Sequence, residues 1–199
     1  QVRKIVQEGC QPLVVCSAIS GVTNALQDIL SATKDGHPEA ALQQLRARHE
    51  ELASQLGVDV QALIADRLDD LEKQVLGAAL IGEVPHRLRA RVMAAGELMS
   101  TRLGAAFLQA QGLETAWIDA RAHLQSMDES DLPQERRILQ ASCSFEADPE
   151  LQRSLGSMQS DVLVTQGFIA RDRDGETVKV QWREERTAVS AEPLLAEPE

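Results

Sequence analysis

The sequence contains no tyrosine, and aromatic residues account for only 3% of its 199 residues. Hydrophobic residues nevertheless reach 43%, and a core rich in alanine and leucine, built mainly from helices, accounts for both values. No apolar run approaches the roughly 18 residues that a membrane-spanning helix requires, and the first residues do not have the form of a signal peptide. A chain of this length and composition is expected to form one domain with a substantial core.

Cysteine is also scarce, with three residues at Cys10, Cys16 and Cys143. An odd number without C-x-x-C spacing argues against a disulfide framework and a zinc site, and favours a reducing, cytoplasmic location. The four histidines are equally scattered, so no metal ligand is assigned to them. Cys16 lies inside an apolar run and is interpreted as a small buried hydrophobic residue.

Positive charge is in short supply, because 20 lysines and arginines stand against 31 acidic residues, for a formal net charge of −11. Nucleic acids and anionic membranes bind to concentrated basic surfaces that neutralise phosphate, so neither is expected as a partner. The acidic excess is interpreted as a contribution to solubility.

Helical and strand patterns alternate along the chain. Two apolar runs, at residues 13–18 and 161–169, have the continuous hydrophobicity of strands buried in a parallel sheet. Helical periodicity occupies residues 37–80, with a break at Gly57, and residues 85–112. The apolar stripe of the second segment consists of Leu88, Val92, Ala95, Met99, Leu103 and Phe107. This order of elements predicts an α/β sandwich with a mostly parallel sheet.

Shorter elements complete the pattern: helices at residues 1–8 and 149–155, strands at residues 115–119 and 142–145, and a hairpin whose return strand covers residues 178–182. Asp174-Gly175 supplies the hairpin turn. From residue 183 the chain is charged and then rich in alanine, proline and glutamate, so residues 183–199 are predicted to be disordered.

The first candidate site is the segment at residues 17–24, Ser-Ala-Ile-Ser-Gly-Val-Thr-Asn, between the first apolar strand and a helix. In open α/β sheets, ligands bind beyond the carboxyl ends of strands, where hydroxyl groups and helix N-terminal amides favour a carboxylate or a phosphate. The alternative is a capped turn in which the hydroxyls only satisfy backbone groups, with Thr23 or Asn24 as N-cap. The pattern alone slightly favours the capped turn.

Gly96-Glu97, in the middle of the helix at residues 85–112, is the second candidate. A glycine inside a helix costs about 1 kcal/mol relative to alanine, which indicates the close approach of another segment or a ligand. Glu97 has apolar neighbours on both sides, and a carboxylate in such a setting can pair with an ammonium group. A solvated glutamate on the outer helix face fits the pattern equally well.

The third candidate is the segment at residues 165–169, where the second apolar strand ends. Gly167 at a strand end indicates a bend or a close backbone approach. A purely structural role is the favoured interpretation of this segment.

Three stretches, in this order, resemble the aspartate kinase family. They are LVVCSAISGVTNAL, with the pattern S-A-x-S-G-V-T-x-x-L, RVMAAGELMSTRLGAAFLQAQGLETAWIDAR, with G-E-x-x-S, and VLVTQGFIARDRDGETV, with Q-G-F-I and G-x-T. The long helical segment is similar to that of kinase domains fused to diaminopimelate decarboxylase in some bacteria. The resemblance implies the three-layer α/β sandwich of amino-acid kinases, truncated and with a helix-rich insert, in which residues 1–182 form part of the catalytic domain and residues 183–199 are a tail foreign to the family.

The resemblance also implies a reaction, the transfer of the γ-phosphoryl group of ATP, bound with Mg²⁺, to the β-carboxylate of L-aspartate. That reaction is the first step toward lysine, threonine and methionine. Carried over by position, Ser17 and Thr23 would hold the aspartate through hydroxyl and backbone contacts, and Glu97 would meet its α-ammonium group. L-Aspartate and ATP are the expected ligands of the complete enzyme, and a homo-oligomer is a candidate assembly.

Two parts of the family pattern are missing. The K-F-G-G-T-S strand, whose lysine contacts the transferring phosphate, would precede Gln1, and VKVQWREERTAVSAEPLLAEPE stands where the family continues T-x-L-G-R-G-G-S-D-x-S-A. No catalytic residue is therefore assigned, and little or no phosphoryl transfer is expected. The alternatives are a non-catalytic aspartate-binding or assembly fragment, and another member of the fold that acts on acetylglutamate or carbamate.

Overall fold

The structure is a computed structural model that describes residues 1–181, so the tail predicted at residues 183–199 lies outside the described residues. In chain order the helices are α1 (Val2–Gln7), α2 (Val22–Lys34), α3 (Glu39–Leu56), α4 (Val60–Leu63), α5 (Ala65–Ile81), α6 (His86–Ala110), α7 (Ala120–His123), α8 (Gln134–Leu139) and α9 (Pro149–Gly156). The strands are β1 (Leu13–Cys16), β2 (Thr115–Trp117), β3 (Val162–Gln166), β4 (Ile169–Arg171) and β5 (Thr177–Lys179). None of the helices within the described range is long and apolar enough to cross a membrane.

A three-stranded parallel sheet in the order β1-β3-β2 forms the centre of the fold. β3 is buried along most of its length because it has a strand on each side and helix α6 packed against it. β4 and β5 form a separate antiparallel hairpin, whose turn places Gly175 at φ +82°. The predicted α/β class with a parallel sheet, and the hairpin that follows it, are therefore confirmed.

β1 is not the buried strand that its continuous apolar run predicted. It lies at the edge of the sheet, and Leu13 and Val15 on one of its faces are 46% and 57% exposed. Val14 and Cys16, on the other face, are partly buried, and burial raises the pKa of the Cys16 thiol. Side chains alternate between the two faces of any strand. A run of apolar residues therefore does not reveal whether other elements pack on one face of the strand or on both.

The helix after the 17–24 segment begins without a hydroxyl cap. Gly21, in the left-handed conformation at φ +77°, is the N-cap of α2, and neither Thr23 nor Asn24 has that role. Val22 is fully buried and belongs to the main core. The start of α2 is therefore fixed by tertiary packing, which overrides the preference for a serine, threonine or asparagine cap.

The segment at residues 142–145 is not a strand, contrary to the prediction. It contributes a single bridge, between Ser126 and Cys143, and the residues after it are exposed. Cys143 is buried, and burial raises the pKa of its thiol. The apolar pattern at this place reflects the burial of individual side chains and not a continuous ladder.

The helical segment at residues 37–80 has one break more than predicted. Gly57 ends α3 in the left-handed conformation at φ +67°, as expected, but a second interruption at Ile64 separates α4 from α5. α4 starts at a local cap, because the Asp59 side chain accepts hydrogen bonds from the amides of Gln61 and Ala62. Periodicity of apolar residues does not report such a cap.

Helix α6 lies between the sheet and the other long helices. Met99 and Leu103 pack into the main core together with residues of α2, α3 and α5. Ala94, Leu98 and Ala105 pack with residues of the strands and the segments that follow them. Because α6 has neighbours on both sides, the residues of its central turns are excluded from water whether they are apolar or not.

Gly96 lies where α2 packs against α6. A Cβ atom at this position would lie 2.9 Å from Leu26 Cδ1, 3.0 Å from Val22 Cγ1 and 3.1 Å from Ala18 Cβ. These distances are shorter than an ordinary van der Waals contact, and Val22 and Leu26 are fully buried. The close approach predicted from a glycine inside a helix is confirmed.

We predict that Gly96→Ala lowers the free energy of unfolding by about 1–2 kcal/mol, because the added methyl group displaces buried side chains of α2. Gly104→Ala, in the same helix, is the matched control, since a Cβ there would meet nothing within 4 Å. That control is expected to raise stability by up to about 1 kcal/mol through helix propensity alone. Urea unfolding of both variants measures the difference, and equal shifts would contradict the packing argument.

Candidate functional site

The candidate segments meet at the carboxyl ends of β1 and β3. Cys16 pairs with Gln166 in the parallel register, so Ser17 and Gly167, the residues that follow the two strands, leave the sheet side by side. The central part of α6, with Glu97, packs against this edge. The position corresponds to the usual ligand site of open α/β sheets.

Glu97 is buried at this edge, with 6% of its surface exposed. Its Oε2 accepts hydrogen bonds from the amide of Gly167 at 3.1 Å and from the amide of Phe168 at 3.0 Å. Burial raises the pKa of the Glu97 carboxyl, while the two amide hydrogen bonds and the charge of Lys179 act in the opposite direction. The alternative of a solvated glutamate on an outer helix face is therefore wrong.

A buried polar network holds the end of β3 against α6. The Gln166 side chain donates to Thr101 Oγ1 at 2.7 Å and accepts from the amide of Ala120 at 2.8 Å. Thr101 also accepts from the indole of Trp117 at 2.9 Å and donates to the carbonyl oxygen of Glu97 at 2.7 Å. Because each buried group has a partner, the network fixes the strand end at the place where its next two amides reach Glu97.

Ser17 and Thr23, the other two predicted site residues, are exposed. The carbonyl oxygen of Ser17 accepts a hydrogen bond from the Ser100 hydroxyl at 2.9 Å, and Ser100 follows Glu97 by three residues on α6. Thr23 lies in the first turn of α2, next to Val22, whose side chain contacts Gly96. The structure therefore places Ser17 at the centre of α6 together with Glu97, with the carboxylate buried and the Ser17 residue exposed, while Thr23 is exposed on the first turn of α2.

Sequence reasoning assigned no individual role to two residues that shape this site, Ser100 and Gln166. Ser100 is part of the G-E-x-x-S pattern, and its spacing of three from Glu97 places both side chains on one helix face. Gln166 is a long polar residue at the end of an otherwise apolar strand, which is a signal for a buried hydrogen-bonding role. Both signals were present in the sequence, but neither identifies the partner across the fold.

A sequence model of the amino acid kinase family matches residues 1–191. Bifunctional aspartokinase/homoserine dehydrogenase 2 of Escherichia coli K12 is 34% identical over 184 residues, which covers 89% of this chain and 22% of that protein. The aspartokinase of Chlamydia muridarum is 28% identical over 183 residues, which covers 89% of this chain and 37% of that protein.

Solved structures give the same result for the fold. E. coli aspartokinase III in complex with lysine and aspartate aligns with a TM-score of 0.63 at 22% identity, over 90% of this chain and 39% of that one. Its complex with aspartate and ADP aligns with a TM-score of 0.60 at 22% identity, over 89% and 38%. The fold is that of the amino-acid kinases, and the chain spans less than two fifths of the length of these relatives.

We predict that Glu97→Gln leaves the protein at least as stable as wild type at neutral pH. The folded-state pKa of Glu97 lies above its ordinary value of 4.5, so the unfolded chain loses its proton first. The wild-type contribution to stability is therefore full below about pH 4.5 and declines as the pH rises through the folded-state pKa. The glutamine has no such titration and still accepts hydrogen bonds from the amides of Gly167 and Phe168.

Urea unfolding of wild type and variant between pH 4 and pH 8 measures this difference, which is expected to vanish at the acid end. Glu114→Gln, which removes an exposed carboxylate, is the matched control and is expected to follow wild type. A Glu97→Gln protein that is less stable at every pH would show that the charged hydrogen bonds outweigh the burial of the carboxylate.

Proposed function

We propose, from the premise that this chain belongs to the amino acid kinase family, that it forms the aspartate-binding part of an aspartokinase. The observation that carries the proposal is the buried carboxylate of Glu97 at the carboxyl end of a parallel sheet, beside exposed hydroxyls. A buried anion with a raised pKa is stabilised by any cation that approaches it, and the α-ammonium group of an amino acid is such a cation.

The rest of the ligand is assigned to the other side of the site. The Ser17 hydroxyl and the first turn of α2, with Thr23, present donors that suit carboxylates, and the positive end of the helix dipole adds to the attraction. An α-amino dicarboxylic acid carries both kinds of charge at a short separation. L-Aspartate is therefore the proposed ligand, with its ammonium group at Glu97 and its carboxylates toward residues 17–24.

The proposed reaction of the complete enzyme is ATP-dependent phosphorylation of the β-carboxylate of L-aspartate. The described residues offer no metal site that is built from protein side chains alone. Within residues 1–181, no group of three or more histidine, cysteine, aspartate or glutamate residues could hold a metal ion, and Gly96 and Gly167 are already packed against side chains. We assign these residues to the amino-acid side of the proposed site.

We predict that the 199-residue chain, supplied with Mg²⁺-ATP and L-aspartate, shows little or no phosphoryl transfer. Phosphoryl transfer depends mainly on cationic and metal groups that neutralise the transferring phosphate, and within residues 1–181 no group of three or more histidine, cysteine, aspartate or glutamate residues could hold a metal ion. Trapping of aspartyl phosphate as the hydroxamate, together with ADP release, measures the rate. Turnover above about a thousandth of a typical enzyme's ~10 per second would contradict the prediction.

Binding of L-aspartate tests the proposal directly. We predict that Glu97→Gln weakens L-aspartate about 10- to 100-fold and leaves succinate, which lacks the ammonium group, within about twofold. Calorimetric titration of both ligands against wild type, Glu97→Gln and the control Glu114→Gln gives the six affinities to compare. Equal losses for both ligands would contradict an ammonium contact at Glu97. Binding of N-acetylglutamate in preference to aspartate would favour another member of the fold.

A second candidate function, an assembly fragment, is favoured by the exposed apolar face of β1. Leu13 and Val15 on this edge strand, and Phe168 beside the site, are all more than 40% exposed. Exposed apolar residues on a strand edge favour association with another chain. Sedimentation of the full chain, with Val15→Lys as the comparison, measures whether this face forms a homo-oligomer.

A further inference from the structure

Arg48 of α3 reaches across to the 17–24 segment. Its guanidinium donates a hydrogen bond to the carbonyl oxygen of Ser20. A Cβ atom at Gly21 would lie 3.0 to 3.3 Å from three atoms of the same guanidinium. Because Gly21 has no side chain, the guanidinium lies directly against the backbone at the N-cap of α2.

The neighbouring arginine on the same helix has a different role. Arg46 donates to Asp69 at 2.7 Å and to Glu72 at 3.2 Å, and so joins α3 to α5. Arg48 is exposed. Among the residues that the structure describes, it donates its hydrogen bond to the backbone carbonyl oxygen of Ser20 and not to a carboxylate. The positive charge of Arg48 therefore remains available to an anion beside the 17–24 segment.

Two points of this segment are held from two different helices. The Ser100 hydroxyl of α6 donates to the carbonyl oxygen of Ser17, and the Arg48 guanidinium of α3 holds the carbonyl oxygen of Ser20. Both contacts use side chains to fix a backbone that has no ladder partners of its own after β1 ends. The segment is thereby kept in one conformation before any ligand arrives, which reduces the entropy lost on binding.

We propose that Arg48 is a positioning residue of the aspartate site. By holding Ser20 and Gly21 it fixes the first turn of α2, with Thr23, in the orientation that receives a carboxylate of the ligand. The inference rests on the proposed function, and it assigns Arg48 to the carboxylate side of the ligand, opposite Glu97. Loss of Arg48 therefore weakens the binding of every dicarboxylate by the same factor. Loss of Glu97 weakens only the binding of a dicarboxylate that also carries an ammonium group.

The test uses the full 199-residue chain with three variants: Arg48→Met, Arg48→Lys and the matched control Arg46→Met. Hydrogen exchange without ligand reports the order of the segment, through the amides of Val22 and Ala25, which donate to the carbonyl oxygens of Ile19 and Gly21. Calorimetric titration with L-aspartate and with succinate reports the site. Urea unfolding shows how much each variant loses in overall stability.

Arg48→Met is expected to speed exchange at these amides and to weaken L-aspartate and succinate by the same factor, about tenfold. Arg48→Lys, which keeps the charge but not the planar fork, is expected to recover part of that loss. Arg46→Met is expected to lower overall stability at least as much, through its two lost ion pairs, while both ligands bind as they do to wild type.

If Arg48→Met leaves hydrogen exchange unchanged, the inference is overturned whether or not L-aspartate binds. If wild type binds L-aspartate and Arg48→Met binds it with the same affinity, the inference is overturned as well. A loss of affinity in Arg46→Met as large as in Arg48→Met also overturns it, because the effect is then one of overall stability. If wild type binds neither ligand, the proposed function and the ligand part of this inference both fail, and the exchange data alone decide whether Arg48 orders the segment.

Discussion

A carboxylate can be buried only where hydrogen-bond donors replace the water that it loses, and at Glu97 those donors are the amides of Gly167 and Phe168. This contact joins the middle of α6 to the end of the central strand. Gly96, one residue earlier, lets α2 pack closely on the same turn. The replacement of water is incomplete, because the pKa of the carboxyl is still raised. The fold thus keeps a carboxylate whose charged form is disfavoured by burial at the carboxyl end of the parallel sheet.

The 17–24 segment takes its shape from contacts made by distant parts of the chain. Ser100 belongs to the helix that carries Glu97, so one helix supplies both the hydroxyl contact and the buried carboxylate. Arg48 belongs to the helical region that lies between the segment and α6 in the sequence. Its contact with Ser20 joins that region to the site. Helix α3 consequently does more than enlarge the core, since its Arg48 holds the carbonyl oxygen of Ser20 in the 17–24 segment.

The sequence was sufficient for those features that depend on local pattern or on residues with special geometry. The helix break at Gly57, the hairpin turn and the close approach at Gly96 were all predictable, because glycine has few other reasons to stand at such positions. The exposure of Leu13 and Val15 was not, since it depends on which strands are neighbours. The roles of Gln166 and Arg48 were equally hidden, because a polar side chain does not reveal its partner until the fold brings the two together. The substrate contacts of Ser17, Thr23 and Glu97 remain proposals.

The rotation of α3 about its axis has a consequence for variation in chain length. Leu45 and His49 are buried on the inner face of α3, and Arg48, between them, points to the 17–24 segment. Each residue of an α-helix adds about 100° of rotation, so an insertion or deletion inside α3 would turn either the buried residues or Arg48 away from its contact. Homologous sequences that keep this arrangement should vary in length at the glycine turns before and after the helix, Gly36 and Gly57, where an added residue leaves the rotation unchanged.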